Sequence, residues 1–256
     1  MPDTTDATAE PIPAERPPGV DLFDMDGTLI AWDCQLLFRH FVVRRSWWRG
    51  FLLPVFLLCL PFAKVLGTER MKRVFLCYLW RVDAEKLAGW SREFAEELMP
   101  AIYPEVKGML DEAKARGHFT ILASASPECY VAEVGRLLGF DLVLGTAVEF
   151  GPFFPPLVNH KGGVKVERLR ELLPADWWDG GMLANCTGYT DSRADLPMLA
   201  VCGDAVTVNP GEALTALAEE NGWVIVRPER PWKGRVGFGM RVLGLLLGVP
   251  KMSYHS

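Results

Sequence analysis

Val20-Asp21-Leu22-Phe23-Asp24-Met25-Asp26-Gly27-Thr28 is the stretch that decides the fold. The run Val20–Met25, apolar with acidic ends, reads as a strand, and Asp26-Gly27-Thr28 as the turn that stops it. Glycine permits so tight a turn. Two carboxylates two residues apart, Asp24 and Asp26, can then face one site. In an open parallel sheet, ligands bind where strands end. One acid can serve as nucleophile and the other as proton donor. A lone Asp-x-Asp would often be a solvated acidic turn, so the rest of the chain must decide. Asp21 reads as an ordinary strand-edge residue.

Working outward, Tyr189-Thr190-Asp191-Ser192-Arg193-Ala194-Asp195 repeats the pattern at the end of another expected strand, Ala184–Thr190. Four carboxylates meeting at strand ends repel one another without a cation. A hard divalent ion with oxygen ligands, Mg²⁺, resolves this. A third strand, Phe119–Ala123, runs into Ser124-Ala125-Ser126-Pro127, where a hydroxyl and the following amides can hold an anion. Lys165 opens a helix after Gly162-Gly163, and its ammonium could bridge nucleophile and phosphate. Helices are expected over Ala84–Leu98, Val106–Arg116, Glu128–Leu138, Lys165–Leu173 and Glu212–Glu220. Further strands are expected at Leu142–Val148, Ala205–Val208 and Trp223–Val226, and Phe150–Val158 reads as a hairpin-like excursion. This alternation argues for an α/β fold with a parallel sheet and helices on both faces.

The 256 residues are 50% hydrophobic and 23% charged, with net charge −5. That composition excludes a wholly disordered chain and a uniformly basic nucleic-acid binder. Six scattered cysteines without a Cys-x-x-Cys pair exclude a zinc ribbon and fit a reducing compartment. The first twenty residues lack the apolar core of a signal peptide. Charge is unevenly spread. Between Ala31 and Val82, nine basic residues (Arg39, Arg44, Arg45, Arg49, Lys64, Arg70, Lys72, Arg73, Arg81) face only Asp33 and Glu69, a formal +7, which leaves −12 elsewhere. Such a segment suggests an anionic partner.

Together these motifs resemble the haloacid dehalogenase superfamily, phosphatase branch. The resemblance covers roughly residues 20–227. It rests on Asp24/Asp26 in Asp-x-Asp-Gly-Thr, on Ser124, on Lys165 and on Asp191/Asp195. It implies a Rossmann-like core with an inserted all-helical type-one cap, and Mg²⁺-dependent phosphotransfer through an aspartyl-phosphate. Carried onto this chain, Asp24 is the nucleophile and Asp26 the acid and base. Ser124, the Ala125 amide and Lys165 bind phosphate. Asp24, Asp191 and Asp26, the last through its backbone carbonyl, hold Mg²⁺, and Asp195 and Thr28 support them. Thr190 stands where the family often has glycine.

The expected organisation is a disordered leader (1–18), a core (19–32 and 105–227), a helical cap (33–104) and an amphipathic C-terminal tail (228–256). Gly50–Ala63 carries no charge and is flanked by Trp47, Trp48, Arg49 and Lys64. It is short for a membrane span, which takes ~20 apolar residues. A segment lying on or re-entering a membrane surface is expected there, with a helix buried inside the cap as the alternative. Val236–Pro250 divides evenly between the same two readings. In this respect the chain resembles the phosphatidylglycerophosphatase C branch of the superfamily. A phospholipid phosphomonoester is therefore the expected substrate, at the cytoplasmic face of a membrane. The alternatives are a soluble phosphatase of the phosphoserine phosphatase type and a non-catalytic membrane adaptor. The oligomeric state is not assigned.

Overall fold

The computed structural model describes residues 12–13, 15–157, 163–249 and 254. Most of the leader, residue 158 of the expected hairpin, Gly162 and the far end of the tail lie outside these. The strands are β1 (Val20–Phe23), β2 (Phe119–Pro127), β3 (Leu142–Thr146), β4 (Trp178–Asp179), β5 (Met182–Leu183), β6 (Cys186–Thr190), β7 (Asp204–Val208) and β8 (Val224–Val226). The helices are α1 (Cys34–Arg45), α2 (Leu53–Cys59), α3 (Ala63–Phe75), α4 (Ala84–Leu98), α5 (Pro104–Ala115), α6 (Glu128–Leu138), α7 (Gly163–Leu172), α8 (Leu196–Leu199), α9 (Glu212–Asn221) and α10 (Gly234–Leu247).

Six strands form one parallel sheet in the order β3-β2-β1-β6-β7-β8. The side chains of β1 alternate between two cores, as the pleat requires. Val20 and Leu22 join Ile121, Leu169 and Trp177 on one face, and Phe23 joins Leu122, Phe38, Phe94 and Tyr130 on the other. The chain leaves β1 toward β2 and β3, then returns to lay β6 on the other side of β1. That reversal opens a crevice beyond the ends of β1 and β6, the usual ligand position in such sheets.

The sequence reading of β1 needs one correction. β1 is central, so Asp21 is no edge residue. It is fully buried and accepts hydrogen bonds from the Tyr189 hydroxyl at 2.9 Å and His118 Nδ1 at 2.6 Å. The antiparallel hairpin β4–β5 was not expected, although Asp179-Gly180-Gly181 carries the turn signal. The Phe150 excursion closes through an antiparallel bridge between Val148 and Leu157.

The insertion after β1 is helical, and it packs in two different ways. In α4, Asp83 caps the first turn by accepting from Lys86 N at 2.8 Å. Leu87, Trp90, Phe94 and Leu98 recur at helical spacing and are buried. With α1 they complete the core on the Phe23 face. In contrast α2 buries nothing, and α3 buries only Val74. Trp47, Phe51, Leu58, Phe62 and Val65 are all more than half exposed. The buried-helix alternative for Gly50–Ala63 therefore does not hold. Trp47–Leu79 forms a run of helical turns, kinked at Gly67, that by length and composition alone could cross a membrane.

The basic excess is also spent differently from expectation. Arg39 donates to Leu246 O, Arg49 to Tyr78 O and Trp80 O, and Arg73 to Pro155 O. Arg44 and Arg45 pair with Glu97 and Glu93, and Lys72 donates to Ala125 O. Among the described residues, Lys64, Arg70 and Arg81 are the exposed cations of this segment for which neither a hydrogen bond nor an ion pair is seen, and the Arg81 guanidinium lies over the Trp80 ring, 4.5 Å from its centroid.

Candidate active site

The acids and Lys165 stand at the ends of strands or the starts of helices, and Lys72 comes from the last turns of α3. Phe23 pairs with Leu122 of β2 and with Tyr189 of β6, so the residues that follow all three emerge side by side. Asp24, Asp26, Asp33, Asp191 and Asp195, with Lys72 and Lys165, line one cavity of about 910 Å³. The sequence-derived acids and Lys165 are thus brought together from three distant segments.

Lys165 is buried and joins two of these acids. Its Nζ lies 2.7 Å from Asp24 Oδ1 and 2.8 Å from Asp195 Oδ1. Thr190 Oγ1 donates to the other Asp195 oxygen at 2.9 Å. Burial alone would lower the lysine pKa, but the two carboxylates outweigh it and hold the ammonium above its ordinary range. Burial pushes the Asp24 carboxyl up to about 8; Asp195 and Asp26 add to this and Lys165 opposes it. Asp191 is raised to about 6, by burial first and then by Asp195 and Asp26.

Gly27 makes the close approach of these acids feasible. Its φ is +85°, and a Cβ there would collide with the Asp191 carboxylate. The Thr28 hydroxyl sits between Asp24 Oδ2 (3.5 Å) and Asp191 Oδ1 (3.4 Å), and accepts from Asp191 N at 3.0 Å.

Asp26 points to a different set of donors. Its Oδ1 accepts from Cys34 N, the first amide of α1, at 2.6 Å. Its Oδ2 accepts from Ser126 Oγ at 2.7 Å and Ser124 Oγ at 3.2 Å. Of the two serines, Ser126 and not Ser124 lines the cavity. Ser124 is fully buried and accepts from Ser126 N at 3.0 Å. Strand β2 runs on to Pro127, so the exposed end falls later than the sequence suggested. Ser126 was legible as the next same-face residue, two positions on. Ala125 faces the cavity, and its carbonyl accepts from Lys72 Nζ at 2.6 Å.

The donor set suits a hard cation, being all oxygen and rich in uncompensated negative charge. Asp24 and Asp191 flank a single hydroxyl. Among the described residues no three acidic, histidine or cysteine side chains form a ready-made cage. The Asp26 carboxylate is instead held by the serines and the α1 amide.

The remaining lining is mostly apolar, with Gln35, Thr68 and Ser192 as its polar members. Phe56, Leu60, Met71 and Phe75 come from the exposed half of the insertion, and Phe238, Val242 and Leu246 from α10. The cavity thus has a charged floor under largely apolar walls.

Residues 22–200 match the family model for haloacid dehalogenase-like hydrolases. The chain is 30% identical over 231 residues to the inhibition of morphological differentiation protein of Streptomyces azureus, covering 82% of this chain and 78% of that protein. It is 28% identical over 228 residues to phosphoserine phosphatase SerB1 of Mycobacterium tuberculosis, covering 83% and 73%. Its fold is similar to that of a phosphoserine phosphatase solved as an analogue of the phospho-aspartyl intermediate, with a TM-score of 0.54, 15% identity, and 81% and 92% of the two chains covered. The chain belongs to the haloacid dehalogenase-like hydrolases, on the phosphatase side of that family.

Proposed function

We propose that this phosphatase hydrolyses a phospholipid phosphomonoester, such as phosphatidylglycerophosphate, with Mg²⁺ and through a phosphoryl group carried on Asp24. The observation that carries the reading is the two-part cavity: paired acids and a buried lysine below, and side chains such as Phe56, Leu60, Phe238 and Leu246 above. Such walls suit a substrate with an apolar body better than a soluble amino-acid phosphate.

The chemistry follows from the floor. Asp24 attacks phosphorus and the phosphorus–oxygen ester bond breaks. Asp26 gives its proton to the departing alkoxide. Water then attacks phosphorus, Asp26 takes the water proton, and the bond to Asp24 breaks to release phosphate. Lys165 keeps Asp24 oriented and offsets charge on the phosphoryl group, which Ser126 and the Ala125 backbone help to bind. Asp24, Asp191 and the backbone carbonyl of Asp26 would hold Mg²⁺. When bound, it supplies charge neutralisation at the phosphoryl oxygens. Asp195 and Thr28 support the lysine and the paired acids.

The exposed apolar side chains beside Lys64 and Arg70 suit contact with an anionic membrane. Basic residues near such a surface gain about 1 kcal/mol each. On this reading the enzyme works at the inner face of a cell membrane. Asp33 and Lys72 in the cavity favour a second reading, in which the opposite charges of an amino-acid phosphate are recognised.

The test compares Mg²⁺-dependent phosphate release from phosphatidylglycerophosphate in mixed micelles and from O-phosphoserine, with sedimentation on phosphatidylglycerol vesicles. A kcat/KM at least about tenfold higher for the lipid, with vesicle binding, is expected. Faster turnover of O-phosphoserine without vesicle binding would hand the site to the second reading.

A further inference from the structure

We infer that α10 is a chain-length gauge: the wall against which the apolar part of the substrate is measured, set at a fixed distance from Asp26. This rests on the lipid-phosphate reading and adds to it the residues that select the substrate.

Three observations carry it. First, Phe238, Val242 and Leu246 of α10 line the same cavity as Asp24, Asp26 and Lys165. The family match ends at residue 200, so this wall lies outside the part of the chain that carries the shared chemistry.

Second, α10 is pinned by directed bonds and not by apolar contact alone. Leu246 O accepts from the buried Arg39 at 2.6 Å. Val249 O lies 2.8 Å from His40 Nε2, and the Tyr254 hydroxyl lies 2.9 Å from His40 Nδ1. A carbonyl only accepts, so Nε2 carries the proton. With the ring neutral, Nδ1 accepts from the tyrosine. Burial favours that neutral form by lowering the histidine pKa. Tyr254 O accepts from Trp32 Nε1 at 2.8 Å, and Trp32 packs against Trp232, ring centroids 4.5 Å apart. Gly248, at φ +71°, closes α10 where a Cβ would press on Val43.

Third, the anchors for the wall and for the acid belong to one rigid element. Arg39 and His40 are on α1, and Trp32 lies just before it. The first amide of α1, Cys34 N, holds Asp26 at 2.6 Å. A single helix therefore fixes the spacing between the proton-transfer acid and the apolar wall.

The probes are n-alkyl monophosphates of four to twelve carbons, with kcat and KM measured separately. Each methylene that enters the cavity should raise kcat/KM by up to about fourfold, until the wall is reached. Val242→Trp fills the cavity and should move the plateau to shorter chains. Leu246→Ala empties it and should move the plateau to longer ones. Tyr254→Phe keeps the ring, loses the bond to His40, and should blur the plateau mainly through KM for long chains. Circular dichroism and thermal melts show whether each variant folds, and the opposite-sense pair keeps the question open if one does not. A wild-type profile flat with chain length would sink the lipid reading itself. A steep wild-type profile with a plateau unmoved in both Val242→Trp and Leu246→Ala would overturn the gauge and leave the lipid reading standing.

Discussion

Lys165→Met removes the one buried cation that touches both Asp24 and Asp195. The contacts are 2.7 and 2.8 Å, and the lysine side chain is 2% exposed. At an effective dielectric of about 20, each pair has a gross attraction of about 6 kcal/mol, much of it cancelled by the desolvation of three charges. What remains after the ammonium is deleted is two carboxylates facing each other in a dry pocket. Breaking a buried pair this way costs about 3–5 kcal/mol. For a chain of this size that is a melting-point drop of about 6–20 °C. The loss depends on pH. Asp24 already titrates near 8 in the folded protein against 3.8 for the ordinary group. A raised folded pKa means stability that is present at low pH and lost as pH rises through the folded value. Without Lys165 that value climbs further, so at pH 6 a proton replaces the missing ammonium at Asp24 and the loss is smaller, that of the Asp195 contact alone. At pH 9 the full loss shows. Urea unfolding of both proteins in EDTA at pH 6 and pH 9 measures it. A variant as stable as the wild type at pH 9, or one whose deficit is larger at pH 6, would refute the ion-pair account.

Asp24→Asn should lower phosphate release by about 10⁴-fold or more, because no acyl-phosphate can form, and should abolish acid-stable labelling from a ³²P-ester. Mg²⁺ at a hundredfold excess over its Kd should stabilise the wild type by about 2.7 kcal/mol in a melt, and Asp191→Asn should lose most of that gain. Gly27→Ala puts a side chain at φ +85° against the Asp191 carboxylate. It should cost at least about 1–2 kcal/mol and raise the Mg²⁺ requirement, as read by melts across a metal titration. Asp21→Ala leaves the buried Tyr189 hydroxyl and His118 without their acceptor, and urea unfolding should show a loss of about 1–3 kcal/mol.

Local patterns were readable from the chain, and long-range assignments were not. The bounds of α4 and α6 follow from the sequence because spacing and end signals lie within the helix itself: Asp83 before one, Gly139 after the other. The clustering of Asp24, Asp26, Asp191 and Lys165 was legible because glycine turns and acids recur at strand ends. Whether β1 is central depends on strand order, which no local window contains, and so the burial of Asp21 was missed. Ser124 and Ser126 are chemically alike on the same side of β2. The choice between them turns on where the strand stops. The anchoring of α10 involves Trp32, Arg39 and His40, some two hundred positions away, and no periodicity in the tail announces them.

The charge pattern of the insertion changes meaning once partners are known. A formal +7 suggests a broad electrostatic attraction, yet most of those cations are used inside the molecule, several of them on backbone carbonyls that helix ends and turns leave open. Guanidinium groups serve this purpose well because their donors are fixed in a planar fork. Apart from Arg81, whose guanidinium lies over the Trp80 ring, what is left for a partner is small and local: Lys64 and Arg70 on the exposed half of the insertion, and Lys233 and Arg235 at the start of α10. Both groups border elements that wall the catalytic cavity. The rest of the chain is acidic and repels an anionic bilayer on other faces, although salt screens that repulsion beyond about 10 Å at 0.1 M. Few cations at the rim of an acidic molecule orient it better than many spread over its surface, since only one approach brings them close. On the proposed function, that approach is the one that presents the cavity mouth to the membrane.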